Sequence, residues 1–218
     1  MTTDELIAVL RLQNIPNIGD VTAKKLIAHC GGPMAVFDDK SQNLLKIDGI
    51  GIHTIKRLHD AEHLEAAEDE VQYIRDNEIS YVYFTDKDYP RYLKHCIDSP
   101  ILLFKKGNFD LEDRKIISIV GTRNITSYGT AFCEKLIEDL APLDPIIVSG
   151  FAYGVDICAQ KAAINNGLQT IGCLAHGLNQ IYPKVHAKYA RDIEKNGGFL
   201  TEFWSTSNPD RENFLKRN

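Results

Sequence analysis

The 218-residue chain is 44% apolar and 25% charged, with a formal net charge of −5. This is enough apolar material for one sizeable core plus a small second domain, which excludes a disordered chain, and the net charge argues against a nonspecific polycation. A local basic groove stays open, because polyanion binding depends on where the positive charges sit. No apolar run approaches membrane-spanning length, and Met1-Thr-Thr-Asp-Glu5 lacks the basic-then-apolar order of a signal peptide, so a cytoplasmic protein without a membrane segment is expected. Five cysteines are scattered without a Cys-x-x-Cys pair, which fits reduced, buried thiols better than a disulfide framework or a zinc ribbon.

The first domain is expected over residues 1–77. Leu6, Val9 and Leu10 fall at helical spacing, and Val21, Leu26 and Ile27 resume the pattern after the turn Ile15-Pro-Asn-Ile-Gly19. Gly31-Gly32 ends the second helix, and Ile47-Asp-Gly-Ile-Gly51 repeats the turn. These Ile-x-x-Ile-Gly turns between helices resemble the helix-hairpin-helix motif, in which the hairpin offers backbone N–H groups to nucleic-acid phosphates. Asn17 stands where that motif has glycine, and asparagine tolerates positive φ. Lys24, Lys25, Lys56 and Arg57 are offset by the acidic run Glu62, Glu65, Glu68, Asp69 and Glu70, so the domain reads as a protein-contact or weak DNA-contact module. His59-Asp-Ala-Glu-His63 matches the His-x-x-Glu-His zinc pattern, but it shows no third ligand and sits in a strongly polar stretch. A solvated helix face is the expectation, and no metal is expected.

The second domain is expected over residues 78–218. Ile79–Phe84 reads as a strand, Asp88-Tyr-Pro90 breaks it, a short helix follows near Arg91–His95, and Ile101–Phe104 reads as a second strand. From Ile116 onward, apolar strands alternate with helices: a strand at Ile116, helix Ser127–Leu140, strand Ile146–Ser149, a helix to about Asn166, strand Thr170–Leu174, and a last strand near Phe199–Glu202. This order predicts an α/β fold with a Rossmann-like, doubly wound parallel sheet, and such sheets bind ligands at the carboxyl ends of their strands. Gly121-Thr-Arg123, Ser149-Gly150 and the stretch Ala175–Lys184 all follow strands. Gly121 permits a tight turn at a helix N-terminus, a ready anion site, and Arg123 offers a fork of donors to a phosphate or carboxylate.

Gly-x-Gly-x-x-Gly, a Walker A lysine and Gly-x-Ser-x-Gly are all missing, so no dinucleotide or other cofactor, no ATP hydrolysis and no Ser149–His176–Asp156 hydrolase are expected. Arg123, Lys184 and Arg217 would form a positive slot, with Tyr182 or Phe214 available for stacking on single-stranded nucleic acid. Two alternatives remain. One is a Rossmann-like enzyme acting on a nucleotide or sugar phosphate, which would use the same turn; the other is an adaptor that docks proteins on its acidic helix.

Over residues 79–218 the ordered motifs resemble the bacterial DNA-processing protein A family, also called Smf. The match rests on Asp88-Tyr-Pro90 with Leu93, Asp98 and Pro100, on Gly121-Thr-Arg123 with Ser127-Tyr-Gly129, and on Ser149-Gly-Phe-Ala-Tyr-Gly-Val-Asp156 with Ala159. It continues through Gly177-Leu-Asn-Gln-Ile-Tyr-Pro183 to Glu202, Pro209, Phe214 and Arg217-Asn218. The resemblance implies a non-catalytic protein that binds single-stranded DNA, protects incoming strands during natural transformation, and loads the RecA recombinase. It also implies a homodimer through the Rossmann-like domain and an N-terminal domain described as helix-hairpin-helix or sterile-alpha-motif (SAM)-like. Its DNA pocket carries over to Gly121, Arg123, Ser127, Ser149, Gly150, Lys184 and Arg217, with Arg123 and Lys184 as the phosphate-binding pair. Gln160, His186, Trp204 and Thr206 depart from the family pattern. The chain stops inside the family's Arg-Asn-Arg motif, so a domain truncated at its C-terminus is expected.

Overall fold

The structure, a computed structural model, describes residues 1–111 and 114–218. Two compact units are present: Met1–Ile79 with Tyr83–Leu102, and Ser80–Val82 with Leu103–Asn218.

The first unit is helical, with α1 (Thr3–Asn14), α2 (Asp20–Cys30), α3 (Ala35–Asp38), α4 (Ser41–Leu44), α5 (Ile52–Arg57) and α6 (Ala61–Asp76). A capping box opens α1: Glu5 N–H donates to Thr2 Oγ1 at 3.2 Å, and Thr2 N–H donates to Glu5 Oε2 at 2.7 Å. α1 buries Leu6, Val9, Leu10 and Leu12, and it packs along α6, whose buried positions include Ala67, Val71 and Ile74. Both Ile-x-x-Ile-Gly turns contain a left-handed residue, Asn17 at φ 68° and Gly49 at φ 86°.

The segment Tyr83–Leu102 groups with the helices. The physical reason lies at α2: Asp20 Oδ1 accepts from Ile101 N–H at 2.9 Å, and Lys24 Nζ donates to Ser99 Oγ at 2.7 Å. Tyr89 is buried in this segment and donates its hydroxyl to Pro100 O at 2.6 Å. The short helix expected near Arg91 is a single 3₁₀ turn, Leu93–His95.

In the second unit, β1 (Ser80–Tyr83), β2 (Leu102–Gly107), β3 (Ile116–Ser118), β4 (Ile146–Ser149), β5 (Thr170–Cys173) and β6 (Gly197–Thr201) form one sheet in the order β1-β2-β6-β5-β4-β3. Strands β3 to β6 are parallel neighbours, and β2 runs antiparallel to β6. The crossovers carry α7 (Ser127–Leu140), α8 (Val155–Asn165) and α9 (Ala187–Lys195); α10 (Arg211–Arg217) follows β6. This is a Rossmann-like α/β fold. In register, Ile117 pairs with Ile147, and both pack with Cys133 and Ile137 of α7 and with Ala159, Ala162 and Ala163 of α8. The alanines keep α8 thin where it meets both the sheet and α7, and each fully buried isoleucine contributes roughly 1.5–3 kcal/mol. Nearer β6, a second cluster joins Phe151, Leu174, Ala190, Ile193 and Phe199. Among the described residues, no helix is long and apolar enough to cross a membrane.

Candidate nucleic-acid interface

A cleft of about 450 Å³ opens where β3, β4 and β5 end, at the carboxyl edge of the parallel strands where α/β sheets bind ligands. Gly121, Arg123, Ser149, Gly150 and Arg217 line it, beside an apolar wall of Val120 and Val148. Ser127 and Lys184 do not line it. Ser127 is the exposed first residue of α7, and Lys184 is exposed on the 3₁₀ turn Lys184–His186 that follows the cis Tyr182–Pro183 bond.

The turn after β3 is shaped by close approach. A Cβ on Gly121 would meet Val155 Cγ2 at 2.6 Å, and Val155 N–H donates back to Thr122 O at 3.1 Å. Thr126, rather than Ser127, caps α7, its Oγ1 accepting from Gly129 N–H at 3.1 Å. Arg123 therefore projects from a tightly held turn; it is exposed, and its guanidinium carbon stands 5.5 Å from the Phe214 ring centroid.

The turn after β4 is closed from within. Asp156, buried in the first turn of α8, accepts from Gly150 N–H at 3.1 Å and from Ala152 N–H at 3.3 Å, so Gly150's amide is already engaged. Ser149 is buried and donates its hydroxyl to Ile119 O at 2.6 Å, which ties the ends of β3 and β4 together. Phe151 is fully buried at φ 58°, an uncommon conformation for an aromatic residue; His186 Nδ1 lies 3.0 Å from its carbonyl, and its ring meets Phe199 edge to face.

Arg217 reaches from α10 into the cleft, where its Nη1 donates to Gly150 O at 3.0 Å and to Cys173 O at 2.7 Å. Its guanidinium fills the space that a Cβ on Gly150 would need. Burial pushes the neighbouring Cys173 thiol up to about 11, against the pull of the Arg217 charge. His176 is also buried, and desolvation holds it below its ordinary value despite its ring's hydrogen bond to the Gly177 carbonyl. It therefore contributes no positive charge at neutral pH.

Phe214 connects these parts. Arg123 and Arg217 lie 5.5 and 5.9 Å from its ring centroid, and Tyr182 meets it at 5.9 Å. Three chain segments, the β3–α7 turn, the loop after β5 and α10, thus converge on two guanidinium groups and two aromatic rings. Cation–π contacts of this kind hold the cations beside the rings while leaving donors free for an external anion. Sequence reasoning missed Asp156 as the filler of the β4–α8 turn. Its signal was present, because an acid in a helix's first turn commonly takes nearby backbone N–H groups.

The chain is 34% identical over 145 residues to DNA processing protein DprA of Bacillus subtilis, covering 66% of this chain and 49% of that protein. It is 36% identical over 133 residues to DNA processing protein DprA of Streptococcus pneumoniae, covering 61% and 47%. It spans about half the length of these curated relatives. The X-ray structure of DNA processing protein A from S. pneumoniae superposes with a TM-score of 0.78 at 28% identity, over 100% of this chain and 73% of that one. DNA processing protein A from Helicobacter pylori, whose structure concerns its single-stranded DNA binding mode, superposes with a TM-score of 0.57 at 32% identity over 64% and 62%. Since the family model for DNA recombination-mediator protein A matches residues 80–218, the chain belongs to that family.

Proposed function

We propose that the protein binds single-stranded DNA without sequence preference, as a cytoplasmic, non-catalytic recombination mediator. The observation that carries this reading is the cluster of Arg123, Arg217, Tyr182 and Phe214 beside the strand-end cleft. Guanidinium groups neutralise phosphates, whereas rings and the Val120–Val148 wall accept unpaired bases; a duplex keeps its bases stacked away from such a surface. The single-stranded DNA binding of the H. pylori relative supports the reading. Gly121, Arg123, Ser127, Ser149, Gly150, Lys184 and Arg217 are the proposed contact set. Within it, Ser149, Gly150 and Arg217 shape the cleft, and Arg123 and Lys184 meet phosphate.

Fluorescence anisotropy with labelled single-stranded and duplex oligonucleotides of equal length tests this. The strand should bind at least tenfold more tightly, with log affinity falling steeply against log salt. Equal affinity for duplex would overturn the preference for single strands, and displacement by a mononucleotide at micromolar concentration would instead favour an enzyme acting on a nucleotide. Loading of a RecA-type recombinase and dimerisation through the sheet unit belong to the same proposal. Faster recombinase assembly on a strand coated with single-strand-binding protein, and a dimer mass in light scattering, are the expected results.

A further inference from the structure

The histidines of the His-x-x-Glu-His match do not occupy one helix face. His59 is exposed in the turn before α6, so it is not one helical turn from His63 on a common helix. The expectation of a solvated face also fails at His63, which is 4% exposed and points inward with Ala67, Val71 and Ile74. Its spacing from these residues is that of an apolar stripe.

A different set of three donors converges there. One ligand atom from each of Asp60, Glu62 and His63 lies within 4.8 Å of the others. His63 Nε2 is buried without a hydrogen-bond partner and stands 3.7 Å from Glu62 Oε1. That separation is too long for a hydrogen bond. It suits two ligands of one ion, because atoms held about 2.1 Å from a metal at a tetrahedral angle lie roughly 3.4 Å apart. Asp60 occupies the N-cap position of α6, yet its carboxylate makes no capping hydrogen bond. On the other edge of the imidazole, Asn14 Nδ2 lies 3.2 Å from Nδ1. The two ends of an amide are nearly isosteric, and metal binding calls for the amide turned end for end: its oxygen then accepts from Nδ1–H and the Nε2 lone pair faces the carboxylates, the outer-shell arrangement that orients a metal-binding histidine.

We propose that Asp60, Glu62 and His63 bind one divalent first-row ion, with zinc the best match to an imidazole and two carboxylates. Three protein ligands leave a position for water. The ion would tie the start of α6 to the end of α1 through Asn14, so its effect is to stabilise the helical unit.

Isothermal titration of the untagged full chain with Zn²⁺, after chelator treatment, tests the proposal alongside thermal melts with and without the ion. One ion per chain and a higher Tm are expected, because a ligand that binds only the folded form stabilises it. Glu62→Gln and Asp60→Asn should each weaken uptake at least tenfold, while His59→Gln, outside the cluster, leaves it unchanged. Both test positions lie outside the fully buried core, so the comparison does not depend on whether a His63 variant folds. Absence of stoichiometric uptake, full retention in both carboxylate variants, or equal loss in His59→Gln would overturn the assignment.

Discussion

Arg217→Ala separates the architecture of the cleft from its charge. In the native chain one guanidinium nitrogen serves two carbonyls, Gly150 O after β4 and Cys173 O at the end of β5. A charge-assisted hydrogen bond contributes roughly 1.5–3 kcal/mol, which caps the pair at about 3–6 kcal/mol. Both oxygens face an open cleft and rehydrate when the side chain is cut back, so we expect a net loss of roughly 2–3 kcal/mol. For a chain of this size that is a fall in Tm of about 4–12 °C. The single tryptophan, Trp204, lies in the sheet unit, so its fluorescence follows that unit's melting. Arg217→Lys should recover less than half of the loss, since an ammonium on a flexible stem lacks the rigid planar fork. A Tm within 1 °C of wild type in the alanine variant would refute the clasp.

Arg123→Ala should behave in the opposite way. The side chain contributes a cation–π contact of about 0.5–1 kcal/mol at an exposed site, so Tm hardly moves, while the salt slope of strand binding falls by about 0.7 for one lost phosphate contact. An unchanged slope would remove Arg123 from the interface. Gly154 has φ 76° and ψ −121°, and a Cβ there would stand 2.6 Å from the Arg123 carbonyl carbon and closer still to Thr122 O. Gly154→Ala should therefore lower stability by about 3 kcal/mol and weaken strand binding together, read by urea unfolding and anisotropy. For His176, burial favours the neutral ring in the fold, whereas the unfolded chain takes a proton near pH 6.5. Stability is thus full above that pH and declines as pH falls toward the depressed folded value, and His176→Gln should flatten the urea midpoint between pH 5 and 7.

The strands at Ile116, Ile146 and Thr170 were legible because β-branched runs ended by turn residues leave few other options, and the parallel order followed from the helices between them. Glycine placement also revealed the strand-end turns. What those turns hold was not legible, because it depends on groups distant in sequence. Arg217 reaches Gly150 across 67 positions, and Phe214 meets Arg123 only because α10 follows β6 back to the cleft. The same limit applied between the strands near Ile79 and Ile101: both strands were legible, but that the segment between them docks on the helices was not, since Asp20, far upstream, binds Ile101. At His63 the charge of α6 hid an inward stripe in which histidine takes an apolar position.

The carboxylate of Asp156 gives the fold an anion of its own. A Rossmann-like sheet ordinarily offers backbone donors at several strand ends, and any phosphate arriving there meets little competition. Here one of those cradles is permanently filled from inside, so a visiting phosphate must displace a covalently tethered rival at very high effective concentration. On the proposed reading, a phosphate is met instead by the neighbouring turn, the one that presents Arg123. Filling the β4 cradle from inside disfavours a compact diphosphate held at two adjacent loops, and suits a long polymer that gains its hold by many separate contacts.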